Sequence, residues 1–213
     1  LFYLLQRIFH LKKIFYIYFI ISFKTTKNLW FHVDSDSFFA ACVILRHPEL
    51  KDSYVCLGWD IIIAASYNAK ALGIKTGTPV WEARKILPVK KTHYFTPDIQ
   101  YYSEISQKLM DFLRNYSEKI EIFSIDEAFC DMTGIPEYFK MDAWDYALFL
   151  QKKILEDIGI SVTVWGGNTR LRAKIFSKLK KPFAVTIFLD SDDITRIFSQ
   201  MPFDKIPFIG HRL

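Results

Sequence analysis

Short apolar runs alternate along the chain with amphipathic stretches, and this pattern predicts both strands and helices. Continuous or alternating apolar residues predict strands at 29–33, 54–57, 61–65, 119–125, 129–132, 160–164 and 184–189. Apolar residues spaced by three to four predict helices at 38–45, 67–72, 80–87, 144–158 and 169–179, and a long helix after Pro97. Ser37 is the expected cap of the first helix. Because strands and helices alternate irregularly, we expect one mixed sheet in an α/β or α+β fold.

Residues 1–30 differ from the rest because they carry no acidic side chain and are mostly aromatic and aliphatic. Their longest uncharged run, residues 14–23, is about half the length that a membrane-spanning helix needs. Lys12 and Lys13 precede this run in the charge order of a signal peptide, but no small-residue cleavage site follows. Three interpretations stay open: a weak membrane anchor, a native extension packed on the domain, and an artefact of where the reading frame was opened. We assign the segment no function.

Composition narrows the class of protein. The 213 residues are 51% hydrophobic, which excludes a chain that is disordered over most of its length. Lys and Arg number 28 against 23 acids, a net charge of +5, which mildly favours an anionic partner such as nucleic acid or a membrane surface. Cys42, Cys56 and Cys130 are far apart, so the sequence indicates neither a disulfide framework nor a structural zinc site. We therefore expect a reducing, cytoplasmic setting.

Two of the predicted strands end in acidic residues. Residues 29–33 lead into Asp34, and the alternating segment 119–125 leads into Asp126 and Glu127 at an expected bend. If these strands are neighbours, three carboxylates meet at one sheet edge, where a divalent cation would relieve their repulsion. Oxygen ligands favour Mg²⁺, Mn²⁺ or Ca²⁺ over zinc. The alternative is that Asp34 caps a helix and that Asp126 and Glu127 merely occupy a turn.

Four segments around these acids resemble, in the same order, the motifs of Y-family (translesion) DNA polymerases of the DNA polymerase IV and UmuC types. The segments are FHVDSDSFFA (31–40), AASYNAKALGIKTGTP (64–79), SIDEAFCD (124–131), and RLRAK (170–174) followed by Lys181 and Pro182. Each motif is weak alone, but their joint order and spacing are specific. The resemblance covers the chain from about Trp30 to its end.

The resemblance implies an α+β fold. A ferredoxin-like palm, with a mixed β-sheet flanked by helices, would carry a small α/β fingers insertion and an incomplete helical thumb. The implied divisions are an unassigned apolar extension (1–28), the palm (29–47 and 98–189), the fingers (48–97) and the start of a thumb (190–213). Family members continue into a little-finger domain, which we expect this chain to lack.

The resemblance also implies the site residues. Asp34, Asp126 and Glu127 would be catalytic and, with the Ser35 carbonyl, would bind two Mg²⁺ ions, for which Mn²⁺ could substitute. Phe39 would be the steric gate against a ribose 2′-hydroxyl. The remaining implied contacts are Phe38, Tyr67, Lys70 and Lys181 to the nucleotide, Ile63 to the nascent base pair, and Gly77, Arg170, Arg172 and Lys174 to the DNA.

Two further interpretations concern residues near these motifs. Asp36 is expected to cap or brace the following turn rather than to bind metal. Arg170, Arg172 and Lys174, together with Lys178, Lys180 and Lys181, form a basic stripe. Such a stripe is either a solvated helix face or a sequence-independent contact to DNA phosphates.

A few positions depart from the family's pattern. Trp165 and Ala184 stand where glycine is usual, and Phe208 replaces the first glycine of the thumb hairpin. Lys70 replaces a usual arginine, which keeps the charge and loses the bidentate fork. We expect the Trp165 indole to clash or to force a local shift, because glycine is used where the backbone needs close approach.

The leading hypothesis is therefore an error-prone DNA polymerase of DNA repair and damage bypass, which adds deoxynucleotides to a primer by two-metal phosphoryl transfer. Its partners would be primer-template DNA and dNTP. A sliding clamp is expected only of a longer form, and no stable membrane association is expected. The alternatives are a truncated, catalytically impaired copy that at most binds DNA or nucleotide, and a membrane-associated protein anchored by residues 1–23.

Overall fold

The computed structural model describes residues 28–175 and 181–189, and within these ranges eight strands form two sheets. The strands are β1 (Trp30–Ser35), β2 (Tyr54–Gly58), β3 (Ile62–Ala65), β4 (Thr92–Phe95), β5 (Ile120–Ile122), β6 (Glu127–Asp131), β7 (Val162–Gly167) and β8 (Val185–Phe188). The α-helices are α1 (Phe38–Arg46), α2 (Tyr67–Ala71), α3 (Val80–Ile86), α4 (Ile99–Arg114), α5 (Ile135–Tyr138), α6 (Ala143–Ile158) and α7 (Arg170–Ile175). Short 3₁₀ turns lie at Pro48–Leu50 and Val89–Lys91.

The main sheet has the strand order β5-β6-β1-β7-β8. Its central strand, β1, pairs antiparallel with both β6 and β7, whereas β8 runs parallel to β7. The sheet is therefore mixed, and with its helices it confirms the predicted α+β class. The pairing of β1 with β6 also makes neighbours of the two strands that end in acidic residues.

Alternation along β1 divides the main sheet into a core face and a polar face, because successive strand residues point to opposite sides. Phe31 and Val33 are fully buried in the main hydrophobic core. That core is completed by Leu109 of α4 and by Tyr146 and Leu150 of α6. The polar face carries the alternate residues of β1 and is the face on which the candidate site lies.

The small sheet has the order β3-β2-β4 and belongs to residues 54–95. It has its own cluster of buried residues, which includes Cys56, Ile62, Ile74 and Leu87. Its third strand, β4, pairs parallel with β2 and was not predicted, because Thr92–Phe95 shows no apolar alternation of its own. The parallel partner, contributed by a distant part of the chain, is what makes this segment a strand.

Two local predictions need correction. Ser37 does not cap α1 through its side chain: its φ is 50°, and no capping hydrogen bond forms. Glu127 does not lie in the bend but begins β6, so only Asp126 belongs to the bend. The long helix begins at Ile99, capped by the Asp98 side chain, which accepts from the Tyr101 amide.

Other expectations fall outside the described residues: those for residues 1–27, for the later part of the helix predicted at 169–179, and for the thumb including Phe208. No helix in the described ranges has the length and apolar character needed to cross a membrane.

Candidate active site

The polar face of the main sheet brings acidic residues of two neighbouring strands together. Asp34 of β1 lies directly opposite Glu127 of β6 in the antiparallel register, so both side chains project from the same face. The backbone amide of Ser35 donates to the carbonyl of Asp126 at 2.9 Å, which holds Asp126 beside the pair. Asp34 therefore lies within a strand, and the alternative that Asp34 caps a helix is wrong.

Only two of the three predicted carboxylates, Asp34 and Glu127, lie in one compact cluster. Asp34, Glu127 and His32 each offer a ligand atom, and these atoms lie within 4.8 Å of one another. Asp126 is not in that group, and its carboxylate accepts from the Ser124 hydroxyl at 2.6 Å. It is nevertheless close enough for its negative charge to raise the pKa of Asp34.

Two lysine ammonium groups lie against these carboxylates. Lys181 contacts Asp34 at 2.5 Å, and Lys174 contacts Glu127 at 2.6 Å. Burial raises the pKa of Asp34, and Lys181 opposes that shift only in part. Burial would also raise the pKa of Glu127, but the hydrogen bonds and charges of His32 and Lys174 outweigh it and lower the pKa to about 2. Glu127 is therefore ionised at neutral pH.

Two polar side chains of α2 lie beside the acidic residues of the main sheet. Lys70 of α2 donates to the Ser37 hydroxyl at 2.8 Å, and its ammonium lies 4.8 Å from the centre of the Tyr67 ring. Burial and, after it, the charge of Lys181 lower the pKa of Lys70. Burial and the negative charges of Asp36 and Asp34 raise the pKa of Tyr67. Lys70, Tyr67 and Lys181 thus share one electrostatic environment at the edge of the acidic site.

The predicted aromatic and glycine positions differ in their surroundings. Phe38 is buried in the main core, whereas Phe39 is partly exposed and packs on Tyr102 with ring centres 4.9 Å apart. Gly77 has a φ of +89° and open space where a side chain would begin. Ile63 is half-buried on β3.

The predicted basic stripe divides in the structure. Arg170 is exposed, forms an ion pair with Glu121 and lies over the Trp30 ring. Arg172 donates to the Asn168 side chain at 2.8 Å. Lys174 points inward to Glu127 and leaves only 13% of its side chain exposed. Lys178 and Lys180 lie outside the described residues, so within the described part only Lys181 joins Lys174 at the acidic site.

Comparison with known proteins identifies the family. Residues 33–178 match the model of the impB/mucB/samB family. The chain belongs to this family, and the predicted resemblance to Y-family DNA polymerases is confirmed. Among curated relatives, the DNA polymerase IV of Saccharolobus solfataricus is 33% identical over 187 residues, covering 84% of this chain and 52% of the relative. That of Nitrosopumilus maritimus is 33% identical over 191 residues, with 85% and 52% covered.

Solved structures agree with this assignment. A ternary complex of Dbh matches with a TM-score of 0.76 and 26% identity, over 86% of this chain and 54% of that one. DinB from Sulfolobus solfataricus matches with a TM-score of 0.74 and 26% identity, over the same shares of the two chains. This family member therefore spans about half the length of the relatives that it matches.

Trp165 and Asp36 are two further buried residues of this region. The Trp165 indole, which was expected to clash or to force a local shift, is fully buried. It stacks on His32 with ring centres 5.6 Å apart, and the Lys181 ammonium lies 5.5 Å from the centre of the indole ring. Asp36 braces the fold rather than capping a helix, since its buried carboxylate accepts from the Thr163 hydroxyl at 2.7 Å and from the Phe183 amide at 2.8 Å.

His32 is the site residue that sequence reasoning missed. Its Nε2 lies 2.7 Å from Oε2 of Glu127. The available signal was its position two residues before Asp34 on an apolar strand, which puts both side chains on the same face. Without the register between β1 and β6, the position of His32 in the sequence does not show that Glu127 is its partner.

Proposed function

We propose that this chain carries the catalytic region of a translesion-type DNA-directed DNA polymerase, a nucleotidyltransferase that adds deoxynucleotides to a primer 3′-hydroxyl. The observation that carries the proposal is the cross-strand pair Asp34 and Glu127, with Asp126 beside it, in a chain of this family. The name DNA polymerase IV of its relatives and the ternary complexes among its structural neighbours support the reaction class and its substrates, primer-template DNA and dNTP.

The donor set fits a pair of divalent cations. Carboxylate oxygens and a backbone carbonyl are the hard ligands that Mg²⁺ prefers, and the low pKa of Glu127 keeps that side chain anionic. Lys174 and Lys181 already lie where positive charge is favourable. We propose that Asp34, Asp126, Glu127 and the Ser35 carbonyl hold Mg²⁺, with Mn²⁺ as a substitute. Bound cations would lower the pKa of the primer hydroxyl and neutralise the triphosphate.

The side chains beside the carboxylates suit a triphosphate. Lys70, Lys181 and the Tyr67 hydroxyl offer donors close to the acidic site, and phosphoryl transfer depends on positioning and charge neutralisation. Phe38 lies in the core, so its proposed contact with nucleotide is through the backbone at the start of α1. Phe39 is the proposed gate beneath the sugar, supported by the Tyr102 ring against which it packs.

The proposed domain roles follow the two sheets. The main sheet is the proposed palm, residues 48–97 are the proposed fingers, and residues 190–213 are the proposed start of a thumb. Arg170, Arg172 and Gly77 remain the proposed DNA contacts. Lys174 is instead proposed to act at the carboxylate site, because it forms an ion pair with Glu127. The free, buried cysteines of the chain support a cytoplasmic location as part of the proposal.

Primer extension by the purified 213-residue chain tests the function. We expect Mg²⁺-dependent addition of the templated deoxynucleotide, and loss of that addition in Asp126→Ala. Asp52→Ala, which removes an exposed aspartate, is the matched control and should extend normally. Extension that survives Asp126→Ala would refute the assignment of the carboxylates. Binding of primer-template and dNTP without extension would favour the impaired copy.

A further inference from the structure

A buried histidine lies at the centre of the polar face. His32 is fully buried, with its ring centre 4.8 Å from that of Phe129 and 5.6 Å from that of Trp165. Its Nε2 contacts Oε2 of Glu127 at 2.7 Å, while Nδ1 has no hydrogen-bond partner among the described residues. A buried N–H without a partner is costlier than a bare ring nitrogen. Nε2 therefore carries a proton, which it donates to Glu127.

The two donors on Glu127 both use the same carboxylate oxygen. Lys174 also contacts Oε2, at 2.6 Å, and no described residue donates to Oε1. Lys174 is a long side chain near the end of the six-residue helix α7. His32, by contrast, lies on the central strand of the main sheet and is held between two aromatic rings. His32 is therefore the more rigid of the two donors.

We propose that His32 is a positioning residue of the metal site, which holds Oε2 of Glu127 so that Oε1 is presented to the cation. The inference rests on the proposed function, since it takes Glu127 as a metal ligand. Hydrogen bonds to a ligating carboxylate fix its orientation, and their loss weakens metal binding. There are two alternatives. His32 binds the metal directly, since its ligand atom lies within 4.8 Å of those of Asp34 and Glu127, or it only packs between Phe129 and Trp165 on the polar face.

Mn²⁺ affinity of the purified 213-residue chain, measured from the electron paramagnetic resonance signal of free Mn²⁺, tests the proposal. His32→Phe and His32→Leu remove the donor, and His32→Gln keeps an N–H near the position of Nε2. We expect the two donorless variants to bind Mn²⁺ about 10–100-fold more weakly. The Gln variant should stay close to the wild-type affinity. A role in packing alone predicts no such difference between variants that unfold at the same temperature.

Two further measurements separate the alternatives. In a Glu127→Ala background, donorless substitution of His32 should have no additional effect on Mn²⁺ affinity, because its partner is gone. A remaining effect there, or a ¹⁴N coupling to Mn²⁺ bound to the wild-type chain, would assign His32 as a ligand and overturn the positioning role. This coupling is measured on the wild type and so needs no variant to fold.

The failure of this inference differs from the failure of the proposed function. Folded donorless variants with wild-type Mn²⁺ affinity overturn the role of His32 alone. A wild-type chain that binds Mn²⁺ no better than its Asp34→Asn variant overturns the metal site itself, and the proposed function with it.

Discussion

The Asp36 carboxylate connects three segments that are far apart in the sequence. It follows β1, accepts from the Thr163 hydroxyl of β7, and accepts from the Phe183 amide ahead of β8. Phe183 comes two residues after Lys181, whose ammonium contacts Asp34. The segment that carries Lys181 to the acidic site is thus held in place by Asp36.

Replacing Asp36 with alanine should cost about 3–6 kcal/mol of unfolding free energy. Hydrogen bonds to a charged group contribute about 1.5–3 kcal/mol each, and the substitution removes two and leaves the buried Thr163 hydroxyl and the Phe183 amide unpaired. Asp36→Asn should lose only about 1 kcal/mol, since its oxygen can accept from the amide and its NH₂ group can donate to the hydroxyl. Relative to a total stability of about 5–15 kcal/mol, the alanine variant is severely affected.

Urea unfolding followed by circular dichroism, with linear extrapolation to water, measures these differences. The exposed Asp52→Ala substitution is the matched control and should lie near the wild type. We also expect Asp36→Ala to weaken dNTP binding, because the segment bearing Lys181 is released. An Asp36→Ala chain that unfolds within about 1 kcal/mol of the wild type, with an unchanged denaturant slope, would refute the bracing role.

Three other predictions follow from particular contacts. Phe39→Ala should admit ribonucleotides in primer extension, and unchanged discrimination between ribo- and deoxynucleotides would remove its role as the gate. Gly58→Ala should destabilise the fold by about 2–4 kcal/mol, because its Cβ would lie 1.9 Å from the carbonyl oxygen of Ile61. Gly77→Ala, whose Cβ would enter open space, should cost about 1 kcal/mol of backbone strain. Trp165→Ala should lower the free energy of unfolding in urea by about 3–5 kcal/mol, because the buried indole packs beside His32 on the polar face. A loss below about 1 kcal/mol would show that neighbouring side chains repack into the cavity.

Much of this fold is predictable from the sequence because strand alternation and helical periodicity are local properties. The apolar strand before Asp34, the alternating strand before Asp126, and the amphipathic helices α4 and α6 all follow from spacing within one segment. The four motifs likewise follow one another along the chain, and their order and spacing indicate the family without any tertiary contact. Where local pattern was weak, as for β4, prediction failed because the strand depends on its parallel partner β2.

The composition of the site, in contrast, was decided by tertiary structure. The register between β1 and β6 places Asp34 opposite Glu127 and brings His32 to the same carboxylate. Lys174, one of several similar basic residues in sequence, becomes distinct only because α7 directs it inward. Sequence determines which residue types are present and how each segment folds locally. Which side chains become partners depends on strand order and register, which are set by contacts between residues as far apart as His32 and Glu127.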